Sequence, residues 1–357
     1  SEKTVFKLNG LGVNSFALAP RAKGLIVLSK NNLLIYDIDN PFSEISLSIL
    51  FNKIWYEGYP EPQYVWQSGS GGDDGEPKLS LMPLIFGTLK GTFYAMLFSV
   101  PLALGSAIYI SQFASTAMRS FVKPAVEMMS AIPSVVVGFI AALWLAPQID
   151  ENFFLVFMAI PIFSIVFFSN LIIWNAWVPI HVKKKTERGL HLIYLLPTFI
   201  LTFLILYYIC PSIETAIFQG NFKNKMIEFF SIKGYEQRNC IIIGFALGFT
   251  IIPIIFTISE DVLSAVPRTL MANSLALGAN RWQSVWRVML PSASPGIIAG
   301  VIIGFGRAIG ETMIVMMATG NTPITSYSIF NGMRTLSANI AVEIGEASFE
   351  GSLYRTL

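Results

Sequence analysis

The chain has 357 residues, of which 54% are hydrophobic and 13% charged, with a formal net charge of +2. Soluble domains carry roughly a quarter charged residues, so this is the composition of an integral membrane protein. The net charge says nothing about nucleic acid, but the basic block that such binding needs is missing.

Cys210 and Cys240 stand alone near predicted membrane edges, match no metal-ligand spacing and read as packing residues. His181 and His191 flank one basic loop and read as membrane-surface residues rather than metal ligands. The chain starts Ser1-Glu2-Lys3 and stops at Thr356-Leu357, which reads as a piece of a longer chain.

Residues 1–80 differ from the rest. Phe16–Ala19, Leu25–Ser29 and Leu33–Ile38 are short apolar runs punctuated by Pro20, Gly24 and Asn31-Asn32. That pattern predicts three strands with turns. Three short strands bury little core alone, so they read as one blade of a repeated β-structure or as a meander folded on the membrane domain. Residues 52–80 are rich in Pro, Gly, aromatics and acids, and Gly69–Gly75 reads as a flexible linker. Asp73 and Asp74 within it fit no calcium loop.

From Leu81 the chain turns apolar. Six spans of about 20 residues are predicted, at about 84–111, 126–148, 153–175, 191–211, 239–258 and 295–319. Pro101, Pro133, Pro161, Pro197 and Pro253 fall in or beside them, and prolines are tolerated in membrane helices. The second span is expected to begin near Val126, upstream of Pro133. Arg119 and Lys123, then Lys183–Lys185 with Arg188, then Arg268, Arg281 and Arg287 mark three loops on one side. By the positive-inside rule that side is cytoplasmic. The N-terminal segment, the 212–238 loop and residues 320–357 are then expected outside.

Residues 259–291 are expected to form two short helices, with a boundary at Pro267 and a bend at Gly278. Trp282, Val285, Trp286 and Met289 recur at i, i+3, i+4 and i+7, one apolar helical face. Such a face buries itself in a partner groove, in the protein's own body, or on lipid headgroups. After a Ser/Pro/Gly turn comes the last span, which carries Arg307 and Glu311, four residues apart. Each charge in a span costs about 2.5–3.5 kcal/mol on insertion scales. Either the two form an ion pair that makes the helix insertable, or Arg307 meets an anion while Glu311 balances it. Gly296, Gly300 and Gly304, and likewise Gly306 and Gly310, have the four-residue spacing of close helix packing. The chain has no Gly-Lys pair and therefore no P-loop, so any nucleotide is hydrolysed on another chain.

Gly278 is followed by nine residues and then Val288-Met289-Leu290-Pro291. This spacing resembles the cytoplasmic motif of ABC-transporter permeases: Glu-Ala-Ala, three residues, Gly, nine residues, Ile-x-Leu-Pro. Ala272-Asn273-Ser274 stand at the Glu-Ala-Ala positions, so the acid is missing. Leu275–Ala279, Arg281-Trp282-Gln283, Trp286-Arg287, Gly306–Met313, Met317–Pro323 and Phe330–Asn339 extend the likeness to permeases of the phosphate-specific, PstC type. It covers roughly residues 80–148 and 235–357, and it resembles the enlarged variety with an extracytoplasmic β-domain. Residues 153–211 fit poorly and read as an inserted hairpin.

The resemblance implies an all-α polytopic fold with a MetI-like core and a small N-terminal extracytoplasmic β segment. It divides the chain into 1–80 (β segment and linker), 81–148 (core helices), 149–238 (inserted hairpin and loop), 239–319 (core helices with coupling loop 259–294) and 320–357 (external loop). It implies a non-enzymatic permease of a bacterial inner-membrane importer for inorganic phosphate, with ATP and Mg²⁺ held by a partner. The implied partners are a second permease subunit, two ATPase subunits and a periplasmic phosphate-binding protein. Arg307 and Glu311 become candidates for the substrate pathway. Gly278, Arg281, Trp282, Trp286, Leu290 and Pro291 become candidates for the ATPase contact. Importers of sulfate or molybdate, secondary transporters and membrane sensors or scaffolds are the alternatives. No inverted repeat supports a secondary transporter, and an anchor has no need of charges in its spans.

Overall fold

The computed structural model describes residues 13–18, 24–29, 32–37, 45–56, 58–69, 77–177, 191–229, 234–347, 349 and 351–357. The basic loop at 183–188, the end residues 1–12 and the glycine-rich stretch 70–76 lie outside them. The described part is mainly helical, and six of its helical stretches are long and apolar enough to cross a membrane.

Near the N-terminus β1 (Val13–Leu18), β2 (Gly24–Ser29) and β3 (Asn32–Asp37) form an antiparallel meander in that order. Val27 is buried, while Phe16, Leu33 and Ile35 are exposed. The linker expected at Gly69–Gly75 falls, from residue 70 on, outside the described residues, and elements stand on both sides of it. Helix α1 (Leu47–Phe51), an Ile54–Gln63 bridge and the pair β4 (Trp66–Gln67) and β5 (Lys78–Leu79) precede the membrane helices. Trp66 and Leu79 are buried with Leu84, against Leu336, Leu353 and Leu357. Three large side chains with an apolar seat at both ends of the chain outweigh the breaking tendency of the prolines and glycines around them.

The core is a layer of three long helices. Helix α2 (Met82–Gln112) runs beside α9 (Cys240–Ala265) in the same direction. Gly244 touches Tyr94, Gly248 touches Ala95 and Phe98, and Gln112 Nε2 donates to the Leu263 carbonyl at 3.4 Å. Helix α12 (Leu290–Gly310) runs the opposite way along α9. A Cβ at Gly296, Gly300 or Gly304 would meet Val262, Ile258 or Ile255 at 2.6, 3.0 and 2.7 Å. The expected glycine packing is therefore found on that stripe. It is not found at Gly306 or Gly310, which face open space within this chain.

Between α2 and α9 in sequence lie α3 (Thr116–Ser130), α4 (Ser134–Ile140), α5 (Ala146–Glu151), α6 (Phe153–Trp177), α7 (His191–Phe218) and α8 (Phe222–Phe229). The second span starts at Ser134, not near Val126. Pro133 is the cap of α4, and its ring pushes Ile132 away from helical geometry. Helix α3 is thus a separate helix with no fully buried residue. Helices α6 and α7 pack as a hairpin around their own small core of Phe154, Leu155, Leu206, Cys210 and Phe222.

Two π-turns, Ala141–Leu145 and Val285–Met289, interrupt the helices. Each lies just before a proline, Pro147 and Pro291. A proline ring collides with the carbonyl four residues back, and one widened turn relieves it. The second π-turn joins α11 (Arg281–Ser284) to α12 without the expected Ser/Pro/Gly turn, so 281–310 is one continuous stretch. Beyond α12 come α13 (Met313–Ala318), α14 (Leu336–Glu343) and α15 (Ser352–Thr356).

Candidate functional site

Helix α12 ends at Gly310, and Glu311 is its cap in extended conformation, φ −72° and ψ 123°. Arg307 and Glu311 therefore do not share a helical face. Arg307, in the last turn, is exposed and has no ion pair or hydrogen bond among the described residues. The C-terminal end of a helix favours a cation, which lowers the cost of its charge. Glu311 is 9% exposed and turns inward. Its Oε1 accepts from the Ile314 N–H at 3.5 Å, at the start of α13, and its carbonyl accepts from Ser337 Oγ at 3.1 Å. The expected ion pair is absent, and the two charges have separate jobs. One is offered to the surroundings, and the other fixes the break between α12 and α13.

At the opposite end of α9, Pro267 caps α10 (Arg268–Ala276). The turn that follows has a definite mechanism. Gly278 lies at φ +90°, its N–H donates to Leu275 O at 3.0 Å, and the Ala279 N–H donates to Ser274 O at 3.2 Å. Those two bonds form a Schellman motif, whose left-handed position favours glycine. Asn280 then opens α11 with a capping box. Its Oδ1 accepts from Gln283 N at 2.8 Å, and its N–H donates to Gln283 Oε1 at 2.9 Å. Ser274 Oγ and Ser284 Oγ, 2.9 Å apart, tie the two helices together.

The apolar face expected from 282 to 289 divides in two. Val285 and Met289 are buried in the protein's own body. Trp282 and Trp286 are 56% and 55% exposed, edge to face at 5.7 Å, and Trp282 also leans on Phe113. A stripe of this width can seat one half against α9 and α12 and leave the other half free. Leu277, 90% exposed, joins the tryptophans, and the sequence pattern alone gave no reason to single it out. Arg281 and Arg287 are exposed beside them, Leu290 is half-buried against the core, and Pro291 is exposed.

A charged cluster between α3 and α9 escaped the sequence reading. Glu260 is fully buried and accepts from Arg119 Nη2 at 2.6 Å, Lys123 Nζ at 3.1 Å and Ser264 Oγ at 2.8 Å. Lys123 also pairs with Asp261. The hydrogen bond to Asp261 leads in raising the Lys123 ammonium above its ordinary range, and Glu260 adds to it. Some 140 positions separate these partners in sequence, so no local pattern announces them. At the far end, Lys90 is buried and donates to the Ser326 and Ser328 carbonyls, both at 2.7 Å. Glu343 gathers Arg334 Nη2 at 2.9 Å and Trp66 Nε1 at 3.0 Å. Trp66 and Leu79 thus share with Leu336, Leu353 and Leu357 the end opposite to α10 and α11.

Residues 99–345 match the family described as binding-protein-dependent transport system inner membrane component. This chain belongs to that family. A phosphate transport system permease protein PstC of Pasteurella multocida is 28% identical over 269 residues, 75% of this chain and 65% of its own length. A probable ABC transporter permease protein YqgH of Bacillus subtilis is 26% identical over 276 residues, 77% of this chain and 64% of its own length. A PstC of Mesorhizobium japonicum is 28% identical over 277 residues, 78% of this chain and 66% of its own length. The chain thus spans about 65% of the length of these relatives. The family match takes in α10, the Gly278 turn, α11 and Arg307, and leaves the β-meander outside.

Proposed function

We propose that this inner membrane component is the permease subunit of an ATP-driven importer of inorganic phosphate. The observation that carries the reading is the pairing of two features on one continuous stretch, 281–310. One end carries exposed Trp282 and Trp286, just beyond exposed Leu277 at the helical elbow, and the other carries the guanidinium of Arg307, unpaired among the described residues. A push on the elbow is transmitted along a helix held to α9 by three close glycine contacts. The names printed for the relatives support phosphate as the cargo.

In this reading the elbow seats in a groove of an ATPase subunit, which holds ATP and Mg²⁺ and does the hydrolysis. Gly278, Arg281, Trp282, Trp286, Leu290 and Pro291 form or support that contact. Arg307 offers the forked donors that suit phosphate oxygens and lines the path, formed with a second permease subunit. Glu311 positions the helix break beside it. A periplasmic binding protein delivers the anion to the end that carries Trp66, Leu79, Leu336, Leu353 and Leu357, which is extracytoplasmic.

The test is anion uptake by vesicles containing the full complex. ATP-dependent accumulation of labelled phosphate, not competed by sulfate or molybdate, is the expected result. Accumulation of sulfate or molybdate in preference would overturn the choice of cargo.

A further inference from the structure

A cleft of about 940 Å³ opens between the α6–α7 hairpin and the core. Its volume is at the upper end of the roughly 300–1,000 Å³ typical of small-molecule pockets. Ile149, Phe153, Phe157, Phe163, Phe203 and Phe245 are among the apolar side chains of its wall. Ser326 and Ser328 line it too, but their polar atoms are committed elsewhere. Both carbonyls accept from Lys90, Ser326 Oγ accepts from Asn331 Nδ2 at 3.0 Å, and Ser328 Oγ accepts from Phe330 N at 3.3 Å. The cleft wall is therefore almost entirely hydrocarbon, with no charged side chain among its lining residues.

Its dimensions fit one leaflet. Phe153 and Phe163 are ten positions apart on α6, roughly 15 Å along the axis at the helical rise. That is about half of the ~30 Å hydrocarbon core of a bilayer. At the Phe153 end Met226 of α8 reaches the cleft, and the neighbouring residues carry charge. Lys223 is paired with Asp150. Lys225 is exposed, stands 5.6 Å from the Phe218 ring and has no carboxylate partner among the described residues. Lys225 is the chain neighbour of Met226, which lines the cleft, and an exposed ammonium one position from an apolar slot is complementary to a lipid phosphate above its acyl chain.

We propose that this cleft is a binding site for an anionic phospholipid, its acyl chain between the α6–α7 hairpin and α9 and its headgroup phosphate at Lys225. The hairpin then does more than decorate the core, because the lipid fills the gap that separates their two apolar clusters.

The test uses the full chain with its partner subunits in native membranes, with a benzophenone amino acid at Phe163 deep in the cleft. A second preparation carries it at Tyr208, which is 74% exposed on α7 and serves as a bulk-lipid control. Adducts at Phe163 are expected to be phospholipids, several-fold richer in anionic headgroups than those at Tyr208. Lys225→Glu, at an exposed position, should bring that enrichment down to the control level. Ala159→Trp, which fills the cleft, should cut the yield at Phe163 several-fold and leave Tyr208 unchanged. A protein adduct at Phe163 would show a partner helix in the cleft and overturn the proposal. Headgroups that match the control, or an enrichment indifferent to Lys225→Glu, would overturn it as well.

Discussion

Arg307 and Glu311 are four residues apart but lie on opposite sides of a helix break. Arg307 closes α12 with its side chain free, and Glu311 caps the next turn with its carboxylate at Ile314. An i,i+4 ion pair requires the helix to continue through both residues, and here it stops at Gly310. Among the described residues the charge of Arg307 is therefore not cancelled. An uncancelled charge at that place supports the proposed role of Arg307 toward the cargo.

The elbow should depend on backbone conformation at Gly278. A residue with a Cβ pays roughly 1–2 kcal/mol in the left-handed region, and Asn pays least. ATPase co-purification with the permease should fall in the order Gly278, Gly278→Asn, Gly278→Ala, Gly278→Val. Gly278→Pro should be worst, since it also removes the N–H given to Leu275. Equal recovery across the series would show that the elbow's geometry is irrelevant to docking.

Trp286 and Val285 are neighbours with opposite expected phenotypes. Trp286→Asp changes an exposed side chain and should release the ATPase from a permease still present at normal abundance. Val285→Asp places a charge at a site with 0% exposure, which costs several kcal/mol, so the permease itself should be lost. Quantifying membrane abundance and bound ATPase in the same preparation separates the two. Retention of the ATPase by Trp286→Asp would remove the tryptophan patch from the interface.

Glu260 should be the most sensitive acid on the α3 side. Glu260→Gln leaves Arg119 and Lys123 without their shared carboxylate. Breaking a buried pair costs about 3–5 kcal/mol, and the 38% exposure of Arg119 puts this case at the low end. The Lys123 pKa is raised in the folded state, so its contribution is complete below the ordinary lysine value of about 10.4 and is lost only as pH rises through the higher folded value. Thermal stability of the wild type in detergent should thus show no transition due to Lys123 between about pH 6 and 9. A loss of the Lys123 contribution within that range would contradict the assignment.

Two glycines of α2 should respond in opposite ways to alanine. A Cβ at Gly87 would lie 2.2 Å from the Arg334 carbonyl oxygen, backbone against backbone, whereas one at Gly105 meets nothing within 4 Å. Gly87→Ala should destabilise by about 1–3 kcal/mol, the range for overpacking. Gly105→Ala should be neutral, or stabilising by up to about 1 kcal/mol through helix propensity. Melting curves of both in one detergent check the contrast.

Much of this was legible in the sequence because it rests on local rules. The apolar runs announced six spans, Pro267 and Gly278 the elbow, and the spacing of Gly296, Gly300 and Gly304 a close helix contact, whose partner α9 only the structure supplies. The misses have physical causes. Gly310 ends a helix here, yet glycine is tolerated inside membrane helices, so the break beside Glu311 carried no distinctive signal. An apolar periodicity names a face but not its occupant, so Val285 and Met289 could not be told from Trp282 and Trp286. The shortness of Pro133–Pro147 carried the second span back to Val126, whereas Pro133 caps a new helix that starts at Ser134. Glu260 finds Arg119 and Lys123 only once α3 folds against α9.

Phosphate uptake by Arg307 variants at matched membrane abundance tests the central claim most directly. Arg307→Gln should abolish ATP-dependent uptake with the complex still assembled, and Arg307→Lys should rescue little, because a point charge does not reproduce the forked donors. The exchange Arg307→Glu with Glu311→Arg should also be inactive, since it moves the cation across the helix break into the buried position at Ile314. Full uptake by the exchanged protein would contradict the account and return both residues to a purely structural role.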